Sequence, residues 1–208
     1  MAPRFSIIIP AHNSEKYIHR ALESIAIQTF TDYEVIVVCD SCTDSTAEVV
    51  YNYGAVPVYV HYHADGLTRN EGMKLAHGEY ILFMDDDDWW LHEYVLEQID
   101  EKLKETNPDI LCFSFIFKGV GYATPVRKCN GMHWIACWNK CYRREKLGDS
   151  CFSELTDGSA DVWFYWKVFS KGLTVVDWDM PMYYYNYWRD DSISEQMTED
   201  LRGRKDLL

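Results

Sequence analysis

A chain of 208 residues with 48% hydrophobic and 25% charged side chains can bury one core, or one core with a small appendage. Its formal net charge of −13, without any dense Lys/Arg run, excludes a nucleic-acid-binding face. A phosphate ligand would have to be held by a cation or by local Arg, Lys and backbone N–H groups.

The elements read in chain order as alternating strands and helices. Phe5 to Ile9 is a β-branched, apolar strand stopped by Pro10. Residues 14–28 follow with Tyr17, Ala21, Leu22 and Ile25 at helical spacing. Val35 to Val38 is a second strand, and Ser45-Thr-Ala-Glu48 has the form of a capping box opening a helix through Tyr53. Val56 to Tyr62 is a third strand. Thr68-Arg-Asn-Glu71 has the form of another capping box, with a helix stop at Gly78. Tyr80 to Met84, a helix from about His92 to before Pro108, and Ile110 to Phe117 complete the first half. Beyond residue 118 aromatics become denser. Helices are expected over Trp134 to Lys146 and Ser159 to Lys171, and short strands over Val175 to Trp178 and Met182 to Tyr187.

This order predicts a single α/β domain: a mainly parallel sheet with helices on both faces. Residues 1–117 form a ligand-binding half, 118–194 a smaller lobe on the same sheet, and 195–208 a polar tail. In such sheets ligands sit beyond the carboxyl ends of the strands. That places the site at Pro10-Ala-His-Asn13, Cys39-Asp40 and Asp85-Asp86-Asp87-Asp88.

Seven cysteines and a start that runs directly into a strand fit reduced thiols in the cytoplasm. Cys39 and Cys42 have the spacing of half a zinc site, but no matched second pair accompanies them, so buried or surface thiols are expected. No apolar run approaches the ~18 residues of a membrane span, so any membrane contact is expected to be peripheral.

The tetrad Asp85 to Asp88 concentrates like charge at a strand end. It is either a solvated acidic loop or a site for a divalent ion bridging phosphates; Mg²⁺ and Mn²⁺ take one or two carboxylates plus phosphate and water oxygens. A calcium loop of the EF-hand type is excluded, because no frame starting at these residues has Gly at its sixth position.

Taken together, Phe5-Ser-Ile-Ile-Ile-Pro-Ala-His-Asn-Ser14, Leu22 to Phe30, Val37-Val-Cys-Asp-Ser-Cys-Thr-Asp44, Arg69-Asn-Glu-Gly72 and Gly78 to Trp89 resemble family 2 glycosyltransferases of the GT-A fold, over about the first 90 residues. The resemblance implies an inverting transfer of a sugar from a nucleotide diphosphate, usually UDP, to an acceptor hydroxyl, with Mn²⁺ or Mg²⁺. The acceptor would be a glycan, a lipid-linked molecule or another hydroxyl compound. It implies that Asp40 hydrogen-bonds the nucleobase, that Pro10 and Asn13 line the nucleotide, and that Arg69 lies near base and diphosphate. Asp85-Asp86-Asp87 covers the family's DxD motif, with Asp87 and Asp85 at the metal, Asp86 toward the ribose, and Asp88 supporting the turn or the donor sugar. The family often has Asp at the position of Cys39 and Gly-Ser at Ser41-Cys42.

Inverting transfer also needs a carboxylate to take the hydroxyl proton. Asp161, at the start of the 159–171 helix, is similar to the family's base; the residue before it is Ala160 rather than Glu. The competing role for Asp161 is a first-turn acid favoured by the helix dipole. Trp134, Trp138 and Trp163 are assigned to an acceptor pocket, where aromatic faces suit sugar rings, against core packing as the alternative. Tyr183 to Tyr187 and Trp188-Arg189-Asp-Asp-Ser192 resemble the family's closing strand and flexible loop, which implies that Arg189 and Ser192 touch the diphosphate when the loop closes. No His follows His133, so water and phosphate would complete a metal's coordination. A sugar nucleotidyltransferase and a non-catalytic nucleotide-binding module are the alternatives. The first needs a Gly-rich, Arg-containing loop after its opening strand, where this chain has Pro-Ala-His-Asn-Ser.

Overall fold

The structure is a computed structural model that describes residues 2–117, 123–124, 133–154 and 159–186. Its strands are β1 (Phe5–Ala11), β2 (Tyr33–Asp40), β3 (Val58–Val60), β4 (Tyr80–Phe83), β5 (Trp89–Trp90), β6 (Ile110–Phe117), β7 (Ala123–Thr124), β8 (Lys140–Arg143) and β9 (Val175–Tyr185). The helices are α1 (Ile18–Ala26), α2 (Thr46–Asn52), α3 (Asp65–Leu75), α4 (Val95–Thr106), α5 (Arg144–Leu147) and α6 (Ala160–Phe169).

The strands form one sheet in the order β3-β2-β1-β4-β8-β6-β9-β5, with β7 on β6. β1 to β4 are mutually parallel, and β6 pairs in parallel with β9; β8, β5 and β7 run against their neighbours. Strand β1 is buried throughout, as a central strand covered on both faces must be. Alternate residues feed two cores. Ile7, Ile9 and Leu82 pack with α1 and α4 through Leu22, Ile25, Leu96 and Ile99. Ile8, Ile81 and Phe83 pack on the other face with Ala76, Phe164 and Val168. The expected mainly parallel sheet with helices on both faces is what the chain adopts.

Close approach brings α3 down on this sheet. A Cβ at Gly72 would collide with the Ile8 side chain, and one at Gly66 with the Ser153 carbonyl. Glycine at these positions lets the helix bearing Arg69 lie against both β1 and the segment before α6.

Several sequence expectations are corrected. The helix expected over 134–146 is instead strand β8 followed by the single turn α5, because Lys140 to Arg143 pair on both sides, with β4 and β6. The strands expected at 175–178 and 182–187 are one strand. A register irregularity around Ser114 accommodates Pro181, which cannot donate to the ladder. Neither proposed capping box forms. Thr68 lies inside α3, and Asp44 rather than Ser45 accepts the Thr46 N–H at 3.0 Å. The 195–208 tail lies outside the described residues.

Candidate active site

The carboxyl ends of β1, β2, β4 and β9 converge with the amino ends of the antiparallel β5 and β8. At β2's end, Asp40 is buried and its carboxylate is fully used. Oδ1 accepts from Ser41 Oγ (3.0 Å) and from the N–H groups of Tyr62 (2.8 Å) and His63 (3.0 Å); Oδ2 accepts from Ala64 N–H (3.0 Å) and Thr68 Oγ1 (2.9 Å). Burial opposes its charge, but these donors prevail and lower the pKa to about 2. Five donors exceed the roughly four lone-pair sites of a carboxylate. Asp40 thereby latches the 62–64 loop and the first turn of α3.

Beyond β1, Asn13 adopts φ 48° and its Oδ1 accepts from Thr43 N–H at 2.8 Å, tying the β1 and β2 turns together; Pro10 is buried within β1. The His12 N–H points at Asp86 Oδ2, 3.3 Å away. Asp86 thus faces the β1 turn.

The acidic tetrad divides by partner. Asp85 Oδ1 accepts from Arg69 Nη2 at 2.5 Å, so the carboxylate expected at a metal is ion-paired through one of its oxygens. Arg69 also pairs with Asp65, and its Nε is buried without a hydrogen-bond partner among the described residues. Burial works to lower the Arg69 pKa, but Cys137, Asp85 and Asp161 around it raise it, and the guanidinium stays charged. Asp88 is fully buried: Oδ2 accepts from Tyr183 Oη and Oδ1 from Asn186 N–H, each at 2.7 Å. Tyr183 Oη in turn accepts the Asp85 N–H at 3.0 Å. Burial and the neighbouring charges of Asp85 and Asp87 push the Asp88 carboxyl well above the usual range. Asp88 thus ties the acidic turn to the end of β9.

Asp161, in the first turn of α6, comes into the field of both Arg69 and Asp85. Its Oδ1 is buried without a hydrogen-bond partner among the described residues. Burial raises its pKa, an effect that Arg69 opposes and Asp85 reinforces. A carboxylate with an open oxygen and a raised pKa is equipped to accept a proton.

The aromatic residues separate. Trp163 is 51% exposed on α6 and Trp134 is 36% exposed in the segment before β8. Trp138 is corrected to a core residue: it is 3% exposed, stacks on Tyr183 with centroids 4.7 Å apart, and meets Phe115 edge-on. Arg189, Ser192 and Asp157 lie outside the described residues.

Sequence reasoning gave Tyr183 and Lys140 no role of their own. Lys140 is buried and spends its three donors on the Trp134 and Ala136 carbonyls (2.6 Å each) and on Asn139 Oδ1 (2.7 Å), fixing the segment that carries Trp134. Its signal was a lone cation between buried Cys137 and Cys141; Tyr183 had none within a run of three tyrosines.

Residues 6–170 match the sequence profile of Glycosyl transferase family 2. The chain belongs to that family. It is 29% identical over 159 residues to the glycosyltransferase GlyA of Streptococcus pneumoniae, covering 74% of this chain and 20% of GlyA. It is 36% identical over 125 residues to the poly(ribitol-phosphate) β-N-acetylglucosaminyltransferase TarS of Staphylococcus aureus, covering 56% of this chain and 21% of TarS. The chain thus spans about a fifth of these relatives. The structure of TarS residues 1–349 with UDP-GlcNAc superposes with a TM-score of 0.78 at 27% identity, covering 92% of this chain and 60% of that one. This likeness makes the fold that of the GT-A transferases. Among the described residues, no helix is long and apolar enough to cross a membrane.

Proposed function

We propose that this chain is the catalytic domain of an inverting glycosyltransferase that moves a sugar from a UDP-sugar to an acceptor hydroxyl in glycan or polysaccharide synthesis. The observation that carries this reading is the grouping of Asp85, Arg69 and Asp161 at one edge of the sheet, with a buried, unpartnered oxygen on Asp161. Membership of the family and the UDP-GlcNAc complex of the related TarS domain support the donor class.

The donor half supplies the scaffold. Asn13, the β1 turn and the loop latched by Asp40 form the walls for the nucleotide, and Asp86 faces that turn. We assign Asp87 and Asp85 of the DxD motif to a divalent cation, with Asp86 toward the ribose; Arg69 holds Asp85, and Tyr183 and Asn186 hold Asp88. Hard carboxylate oxygens suit Mg²⁺ or Mn²⁺, which would offset the charge of the departing diphosphate.

Asp161 Oδ1 takes the acceptor hydroxyl proton as the oxygen attacks the anomeric carbon. The bond to the diphosphate breaks on the opposite face, and the leaving group departs with the electron pair. Arg69 holds Asp85 in place and lends positive potential beside the reacting groups. Exposed Trp163 and Trp134 offer faces to an acceptor sugar.

The test is a panel of nucleotide sugars with Mn²⁺, read by thermal shift and by release of nucleotide diphosphate. At ~100 times the dissociation constant, the matching donor should stabilise by about 2.7 kcal/mol. Diphosphate release that needs an acceptor supports transfer. Release of pyrophosphate from a nucleoside triphosphate would make the chain a nucleotidyltransferase, and binding without turnover over a broad acceptor panel a non-catalytic module.

A further inference from the structure

Cys39 is the last residue but one of β2 and Cys42 stands three residues on, in Cys39-Asp40-Ser41-Cys42. Ser41 adopts φ 53°, the left-handed conformation, which turns the chain back on itself. Cys42 therefore returns to pack against the same core cluster that holds Cys39. Both are free thiols; Cys39 is buried and Cys42 is half-buried. The Cys42 thiol reaches the Ala11 carbonyl at 3.4 Å, so it lies against the β1 turn that forms one wall of the proposed nucleotide pocket. Between the two cysteines is Asp40, which latches the 62–64 loop through three of its five hydrogen bonds.

We propose that Cys39 and Cys42 form a reversible disulfide, with a low-molecular-weight disulfide of the glutathione class as co-reactant, and that closing this bond releases the loop latched by Asp40. Two of the requirements for exchange are a partly exposed attacking thiol and a second thiol within reach to resolve the mixed disulfide. The pair supplies both. Contact with Cys39 and the Asn13 N–H lower the Cys42 pKa to about 7 in spite of burial, so Cys42 carries the attacking thiolate, while contact with Cys42 and burial keep Cys39 protonated.

The reaction balances. Cys42 thiolate attacks one sulfur of the small disulfide, whose S–S bond breaks and releases one thiolate. Cys39 gives up its proton and attacks the Cys42 sulfur, and the second small thiolate leaves and takes that proton. Two protein thiols are oxidised and one disulfide is reduced to two thiols. A bond across three residues closes a ring containing Asp40 and Ser41, and the backbone at Ser41 must rotate to accommodate it. The Asp40 carboxylate then leaves the N–H groups of Tyr62, His63 and Ala64. A lower donor affinity follows if the pocket is where we place it; that consequence rests on the proposed function, whereas the disulfide does not.

The full chain is equilibrated in glutathione buffers of increasing oxidation, quenched with acid, alkylated and digested. The peptide spanning residues 39–42 should lose two hydrogens and escape alkylation. Cys39→Ser should stop at a mixed disulfide on Cys42, and Cys42→Ser should remain unmodified at Cys39. Amide exchange at residues 62–64 should speed up by tenfold or more in the oxidised form and return with dithiothreitol, about the middle of the usual span of coupling between sites. A peptide that stays fully alkylated, or that accumulates only the mixed disulfide in the unmutated chain, overturns the proposal. So does a disulfide that leaves exchange at 62–64 unchanged. UDP binding is measured in parallel; failure of UDP to bind the reduced protein would overturn the donor reading and leave the disulfide standing.

Discussion

Replacing Asp161 with Asn separates catalysis from stability in opposite directions. The substitution keeps shape and removes the basic oxygen, so transfer should fall by ~10²–10⁴-fold, the usual contribution of a positioned base. That range corresponds to about 2.7–5.5 kcal/mol of barrier. Donor affinity should hold, because the proposed function places Asp161 of α6 on the acceptor side and builds the nucleotide walls from β1, β2 and the 62–64 loop. Stability should hold or rise. Burial raises the folded-state pKa of Asp161 above its unfolded value, so the folded form loses stability as pH climbs between the two values and carries that penalty at neutral pH. Asn carries no such penalty. A first-turn acid serving only the helix dipole predicts the reverse: a loss of up to ~1 kcal/mol and normal turnover. Melting temperature, donor Kd, kcat and the pH–rate profile on the one variant decide. The acid limb of the wild-type profile should lie above the ordinary carboxylate range and vanish in Asp161→Asn. Wild-type kcat in a folded variant would remove Asp161 from the mechanism.

The remaining predictions concern the other carboxylates and their clasp. Asp87→Asn should abolish divalent-dependent transfer while the fold persists, and full activity of the unmutated protein in EDTA would defeat the metal assignment. The Asp40 pKa falls from 3.8 to about 2 on folding, so its contribution is present above about pH 4 and lost as pH drops toward 2. That shift corresponds to roughly 2–3 kcal/mol; Asp40→Asn should lower neutral-pH stability by about that amount and flatten the acid slope of Tm, and an unchanged slope would contradict it. Tyr183→Phe strands the buried Asp88 oxygen and the Asp85 N–H, and should cost ~1–3 kcal/mol in denaturant titrations. A loss within error would mean water replaces the hydroxyl.

The first half of the fold was legible because each strand is short, apolar and closed by turn or helix signals, and because ligand sites in parallel sheets follow strand ends. That rule located Asn13, Asp40 and the tetrad at one edge. It could not apportion them. Whether a carboxylate faces a ligand or the protein depends on donors from distant segments: Asp40 meets N–H groups 22 to 24 residues away, and Asp88 meets Tyr183 95 residues away. The lobe was misread where tertiary pairing decides structure. Lys140 to Arg143 has no strand alternation strong enough to compete with the helical spacing of Trp134 and Trp138, yet it fills the gap between β4 and β6. Trp138 and Trp163 look alike in sequence, and only the packing of β9 buries one while α6 exposes the other.

The bond between Tyr183 and Asp88 also bears on how such chains diverge. A buried acid and the hydroxyl that satisfies it are a poor pair to change one at a time, since either single replacement leaves an unsatisfied polar group in the interior. Drift at these two positions should therefore be correlated across homologues: a chain with an apolar residue at the position of Asp88 should carry Phe or another residue without a hydroxyl at that of Tyr183. An alignment in which the two vary independently would show that the clasp is local to this sequence. If they vary together, the pair marks a boundary between lineages that a comparison of the neighbouring acidic residues alone would miss.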